Sequence, residues 1–180
     1  MPTIVLVVWS VAFAESQVKV NHLAGARSPY LKRASGQPVD WYSWGPDAFQ
    51  RAKELDRPLL LDVGAVWCPW CSVMDRDTYN NTGTAQYVNQ HFVAVKVDFD
   101  QSPELAAKFE RAQALLNVPV GLPMTAFITP EGKLYFGAGY LAAAPEEGKP
   151  SFRETAEEAL RLFSNKSEID EESVQLEVQK

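Results

Sequence analysis

The chain is poor in the residues that most often carry catalysis or hold metals. Its 180 residues include only two cysteines and two histidines. The histidines, His22 and His91, lie far apart, and a structural zinc site usually takes four protein ligands, so zinc is a weak reading and no metal is expected. There is no glycine-rich phosphate loop, no Ser/His/Asp arrangement and no internal repeat. There is also no basic cluster, and the net charge of −6 argues against a nucleic-acid surface. The apolar stretch at residues 1–14 is too short to span a bilayer as a helix. What is present fits a soluble globular protein of one domain, 46% hydrophobic and 22% charged, long enough to bury a full core.

One stretch organises the rest. Leu59-Leu60-Leu61-Asp62-Val63 is a short apolar run and reads as a buried strand. Gly64-Ala65-Val66-Trp67 leads from it into Cys68-Pro69-Trp70-Cys71, and residues 72–79 can continue as a helix. Strand, loop and Cys-x-x-Cys opening a helix is the context in which this motif reads as redox chemistry. A thiolate, not a thiol, attacks a disulfide. The first cysteine would face the unpaired N–H groups and the positive dipole end of a helix, and both favour its anion. The spacing makes Cys68 the nucleophile and Cys71 the resolving thiol. Trp67 would shield the pair and, with Pro69 and Trp70, offer a substrate surface. A structural disulfide, an inert pair and half of a zinc site are the competing readings.

The segment from Asp62 to Cys71 resembles the active-site region of thioredoxins, with an acid, a few residues, then Trp-Cys-x-x-Cys. Asn21-His22-Leu23, Ser28-Pro29-Tyr30-Leu31 and Pro38-Val39-Asp40-Trp41-Tyr42-Ser43-Trp44-Gly45 are similar to the opening of the YyaL-like family, whose N-terminal domain is thioredoxin-like. The resemblance covers about residues 21–141. It implies an α/β fold, a thioredoxin-like three-layer sandwich with a central mixed β-sheet flanked by helices. It implies that Asp62, six residues before Cys68, is the buried acid that helps deprotonate the resolving cysteine. It places Lys96, within Lys96-x-x-x-Asp100-Gln101-x-Pro103, as the supporting strand lysine. It implies a cis peptide bond before Pro123, with the Leu122 backbone free to pair with an extended substrate. The competing readings are a loop-capping Asp62, a Lys96 pointing to solvent at a sheet edge, and a trans Pro123. The family more often carries Cys-His-Trp-Cys-His, so roles that need those histidines do not transfer. Full-length members continue into a helical domain resembling sugar epimerases, and the expectation here is the thioredoxin-like module alone.

The remaining segments follow local pattern. Residues 1–14 carry no charge and end in Ala12-Phe13-Ala14, a small-x-small cleavage pattern, so they are expected to be a signal peptide. The absence of Lys or Arg there leaves a buried strand as the rival. Periplasmic or secreted localisation is expected, with the cytoplasm as the alternative. Residues 15–45 read as an N-terminal arm without a clear period, its Trp41, Tyr42 and Trp44 anchoring it by packing. The thioredoxin-like domain is expected over 46–163. It holds helices at 46–55, 84–90, 103–116 and 150–163, strands at 59–63, 92–98, 122–128 and 134–137, and a hairpin turn at 129–133. Residues 164–180 are polar and acidic and read as a flexible tail.

The expected function is thiol–disulfide oxidoreductase. Cys68, Cys71 and Asp62 would be catalytic, Trp67, Pro69, Trp70, Leu122 and Pro123 substrate-binding, and Lys96 supporting. No cofactor beyond the Cys68–Cys71 disulfide is expected. The partners would be protein thiols or disulfides and an unidentified redox partner, with no nucleic acid and no stable membrane span, for a monomer. The alternative is a non-catalytic binding module using the same groove.

Overall fold

The computed structural model describes residues 20–165, 169 and 173–175; the expected signal peptide lies outside them. In chain order the elements are α1 (Pro29–Ala34), β1 (Trp41–Ser43), α2 (Pro46–Leu55), β2 (Leu59–Gly64), α3 (Pro69–Met74), a π-helical turn (Asp75–Tyr79), α4 (Thr82–His91), β3 (Val93–Asp98), α5 (Pro103–Leu115), β4 (Met124–Ile128), β5 (Lys133–Ala138), α6 (Phe152–Ser164) and β6 (Val174–Gln175).

The sheet has the order β1-β3-β2-β4-β5-β6. β1, β3 and β2 run parallel, and β4, β5 and β6 each run antiparallel to the preceding neighbour. Every residue of β2 and β3 is buried, which is why both read as apolar runs rather than alternating strands. Alternate residues of these strands still serve different layers. Leu59, Leu61 and Val63 join Val93, Val95 and Val97 against Phe49 of α2 and Phe109 of α5. Leu60 and Ala94 face the other layer with Tyr30, Met74, Tyr79, Val88 and Phe152. A mixed six-stranded sheet between these two helical layers is a thioredoxin-like α/β fold.

Local chemistry sets the helix ends. α2 begins with Pro46, where its missing N–H is no loss, and ends at Asp56 in the left-handed region at φ 48°. α6 starts at Phe152, two residues later than its sequence pattern suggests. Ser151 and Glu154 form a reciprocal capping box that fixes the start there. Residues 72–79 do not continue as one α-helix. α3 ends at Met74 and the chain widens into the π-helical turn.

The arm is part of the sheet. β1 pairs with β3 through Trp41↔Ala94, Tyr42↔Val95 and Ser43↔Lys96, and Trp41 is fully buried. The Asn21 amide donates to the carbonyls of Ala34 and Val39 at 2.8 and 3.0 Å, and Trp41 Nε1 donates to Gln37 Oε1 at 2.7 Å. Trp44 packs edge-on against Phe49 and Phe109. These contacts, not a local period, order the arm. The expected tail is also tied down at its described residues: Ile169 is buried, and Val174 pairs with Leu134 of β5. Apolar side chains isolated in an acidic stretch gave no period to read.

Candidate active site

Cys68 is the N-cap of α3, with φ −81° and ψ 112°, and Pro69 opens the helix. Its Sγ accepts the backbone N–H of Cys71 at 3.1 Å. The two cysteines are joined in a disulfide with their Cα atoms 5.3 Å apart. Both are nearly covered, at 3% and 1% exposure, whereas the flanking Trp67 and Trp70 are 60% and 58% exposed. Large exposed aromatics beside a covered disulfide form an apolar rim around it.

Each indole is held in place. Trp67 Nε1 donates to an Asp100 carboxylate oxygen at 2.8 Å, and its ring meets Phe99 edge-on. Asp100 N–H donates in turn to Asp98 Oδ1 at 2.9 Å, and the Ser28 hydroxyl donates to Asp98 Oδ2. Trp70 lies against Tyr140 with ring centroids 5.0 Å apart. The Leu122-Pro123 peptide bond is cis. It immediately precedes Met124, which pairs with Val63 of β2, so it stands at the end of the sheet from which residues 65–67 lead to Cys68.

Beneath the disulfide lies a buried charged network. Asp62 and Lys96 are directly opposite in the β2–β3 register. Lys96 Nζ donates to Asp62 Oδ2 at 2.6 Å and to Asp75 Oδ1 at 2.8 Å. It also sits 4.7 Å from the ring centroids of Tyr30 and Trp41 and 5.0 Å from that of Tyr79. Tyr30 donates to Asp62 Oδ2 at 2.7 Å, and Tyr79 donates to Asp62 Oδ1 at 3.3 Å. Lys96 therefore does not point to solvent at a sheet edge, and Asp62 does not cap a loop. Burial alone would lower the lysine's pKa, but the two carboxylates outweigh it and hold the pKa above the ordinary value. Burial, reinforced by the negative charge of Asp62 and Asp75, pushes both phenols well above the usual tyrosine range.

The structure thus joins Cys68, Cys71, Asp62 and Lys96 into one centre, with Trp67, Pro69 and Trp70 around the disulfide. Sequence reasoning missed Tyr30, Gly64, Asp75, Tyr79 and Asp100. Two signals were available. A lysine in an apolar strand needs countercharge, and Asp75, four residues after Cys71, follows it one helical turn on. Tyr30 carried no signal beyond the family resemblance of its segment. Among the described residues, no group of three or more His, Cys, Asp or Glu is placed to hold a metal ion, and no helix is long and apolar enough to cross a membrane.

The chain is similar to known proteins over most of its described length. The Thioredox_DsbH family model, described as "Protein of unknown function, DUF255", matches residues 20–179. An uncharacterised protein of Caenorhabditis elegans is 36% identical over 132 residues, which are 73% of this chain and 18% of that protein. The disulfide bond reductase DsbH of Chlamydia pneumoniae is 28% identical over 107 residues, which are 57% of this chain and 63% of that protein. This chain therefore corresponds to only part of each relative's length. A solved structure titled "DsbH Oxidoreductase" superposes with a TM-score of 0.49 at 22% identity, covering 73% of this chain and 85% of that one. With its model matched along nearly the whole described chain, the protein belongs to the Thioredox_DsbH (DUF255) family, a thioredoxin-like family.

Proposed function

We propose that the protein is a thiol–disulfide oxidoreductase acting on protein disulfides or dithiols through Cys68 and Cys71. The observation that carries this reading is a Cys68–Cys71 disulfide at the start of a helix, directly above a buried Asp62–Lys96–Asp75 network. Neither a structural cross-link nor an inert pair needs buried charge beneath it, and buried charge carries a desolvation cost that partners must be assembled to offset. The similarity to a disulfide bond reductase supports the same reading.

In the reducing direction, Cys68 thiolate attacks one sulfur of a substrate disulfide. The substrate's S–S bond breaks, and its second sulfur leaves as a thiolate. Cys71 then attacks Cys68 Sγ in the resulting mixed disulfide, and the second substrate thiolate is released. Two electrons pass from the protein dithiol to the substrate, and the oxidising direction is the reverse. The Cys71 N–H at Cys68 Sγ favours the attacking anion. Asp62 is the base for Cys71, and Lys96 and Asp75 hold it in place. Trp67, Pro69 and Trp70 present the apolar surface for a substrate chain, and the Leu122-Pro123 backbone pairs with it as an added strand. The reaction requires no cofactor beyond the cysteine pair. An unidentified redox partner resets the pair, and the working unit is a monomer. The apolar segment 1–14, ending Ala12-Phe13-Ala14, supports export to the periplasm or beyond the cell.

The test is exchange with a disulfide-bonded protein substrate. Cys68→Ser is expected to abolish turnover, and Cys71→Ser to accumulate a covalent complex with the substrate. An active Cys68→Ser protein overturns the reading. The equilibrium potential of the pair, followed by the fluorescence of Trp67 and Trp70, then gives direction: about −270 mV for a reductant, about −120 mV for an oxidant. If no reversible transition occurs and partner binding survives Cys68→Ser, the protein is a binding module.

A further inference from the structure

We propose that Tyr30 is the proton relay between the Cys71 thiol and the Asp62 carboxylate. The inference rests on the oxidoreductase reading above, and its residue comes from the arm rather than from the strand–helix unit that carries the cysteines. Asp62 and Gly64 are two residues apart on β2 and so share a face. Above Gly64 that face has no side chain. A Cβ placed there would stand 2.2 Å from Tyr30 Oη and 3.0 Å from Cys71 Sγ. The phenol oxygen and the resolving sulfur therefore both border the space over the same glycine. The same phenol donates to Asp62 Oδ2 at 2.7 Å. Asp62, Tyr30 and Cys71 are each at 1% exposure, so bulk water does not carry a proton between them.

The relay needs a group that keeps its proton on average and passes it through. Burial and the neighbouring carboxylates hold the Tyr30 phenol well above the ordinary tyrosine range, so it conducts rather than acting as the base. The charged and titratable groups around it are Asp62 from β2, Lys96 from β3, and Asp75 and Tyr79 from the π-helical turn. In the mixed disulfide, the Cys71 S–H proton passes to Tyr30 Oη as the phenol proton passes to Asp62. The Cys71 sulfur, now carrying the electron pair, forms its bond to Cys68 Sγ. The bond from Cys68 to the substrate breaks, and the substrate sulfur leaves as a thiolate. Asp62 keeps this proton until the redox partner next reduces the disulfide, when it returns through Tyr30 to the Cys71 thiolate. No outside oxidant enters, because the substrate disulfide accepts the two electrons.

Tyr30→Phe keeps the ring and removes the relay. Reduced protein mixed with a disulfide-bonded peptide gives two phases in stopped-flow fluorescence, attack by Cys68 and resolution by Cys71. In Tyr30→Phe the first phase is expected to be unchanged. The second is expected to slow on the order of 10²-fold at neutral pH, as general acid–base assistance implies, and to approach wild type at alkaline pH. Tyr79→Phe removes the phenol on the other Asp62 oxygen and controls for simple loss of a hydrogen bond; any slowing of the second phase is expected to be smaller than in Tyr30→Phe and not to be relieved at alkaline pH. Equal resolution rates in wild type and Tyr30→Phe between pH 6 and 9 overturn the relay, as does equal slowing by both variants. A wild-type protein with neither phase overturns the oxidoreductase reading instead. Should Tyr30→Phe not fold, a proton inventory of the second phase in the wild-type protein decides: curved for two protons in flight, linear for one and no relay.

Discussion

Two residues of β2 and β3 set the terms for the centre. Lys96 is a fully buried cation, and taking such a charge from water costs several kcal/mol before its partners are counted. Two carboxylates and three aromatic faces offset that cost, and all must be delivered to one point. Gly64 makes delivery possible by leaving its space to Tyr30 and Cys71. Gly64→Ala is therefore expected to destabilise the protein by about 1–3 kcal/mol, the usual range for overpacking. The atom it meets first, Tyr30 Oη, is held by a 2.7 Å hydrogen bond and cannot swing aside cheaply. Gly36→Ala is the control, because its Cβ would meet nothing within 4 Å, and its effect should stay within about 0.5 kcal/mol. Urea midpoints of the two variants make the comparison. A Gly64→Ala protein as stable as Gly36→Ala would show that the space over Gly64 is not tightly shared.

At the scale of elements, the π-helical turn Asp75–Tyr79 is the least expected feature and one of the most consequential. Directly after the cysteine helix it brings the Asp75 carboxylate to Lys96 and the Tyr79 phenol to Asp62. Asp75→Asn keeps the shape and removes the charge, so it is expected to cost about 1.5–3 kcal/mol, the range for hydrogen bonds to charged groups. A urea denaturation curve at neutral pH measures this, and a loss below about 0.5 kcal/mol would make the contact a minor surface pair. Elements with their own pattern were legible in sequence: β2 and β3 as apolar runs, α2 and α5 by their periodic faces. Within the site, it was the thioredoxin resemblance that supplied Asp62, six residues before Cys68, as the acid and Lys96 as its supporting strand lysine. The π-helical turn was not legible because residues 72–79 suit an α-helix locally, and the widening is settled by contacts with β2 and β3. β1 was not legible because it is three residues long and exists by pairing with β3. Tyr30 was hidden for the same reason, since its role depends on where the arm docks.

For the whole molecule, the network is a tie between distant parts of the chain. Tyr30 comes from the arm, Asp62 and Lys96 from two central strands, and Asp75 and Tyr79 from the turn after α3. Its titration should therefore be read in global stability. The folded-state pKa values of Tyr30 and Tyr79 lie above the ordinary tyrosine value of 10.0, and that of Lys96 above the ordinary lysine value of 10.5. The unfolded chain releases these protons near the ordinary values, while the folded chain keeps them. Above about pH 10 the unfolded state binds fewer protons than the native state, so stability falls as pH rises. Below that pH the contribution is fully present. Each retained proton adds about 1.4 kcal/mol per pH unit to the slope. Tyr135, whose phenol is raised by burial in the same helical layer, adds to it with the same sign. Urea midpoints measured from pH 7 to 11 should be flat at first and then drop steeply above about pH 10. In Tyr30→Phe/Tyr79→Phe two of the responsible protons are gone, so the drop should be shallower even though the starting stability is lower. A wild-type curve that stays flat to pH 11, or a double variant with an unchanged slope, would show that the buried phenols do not couple to folding.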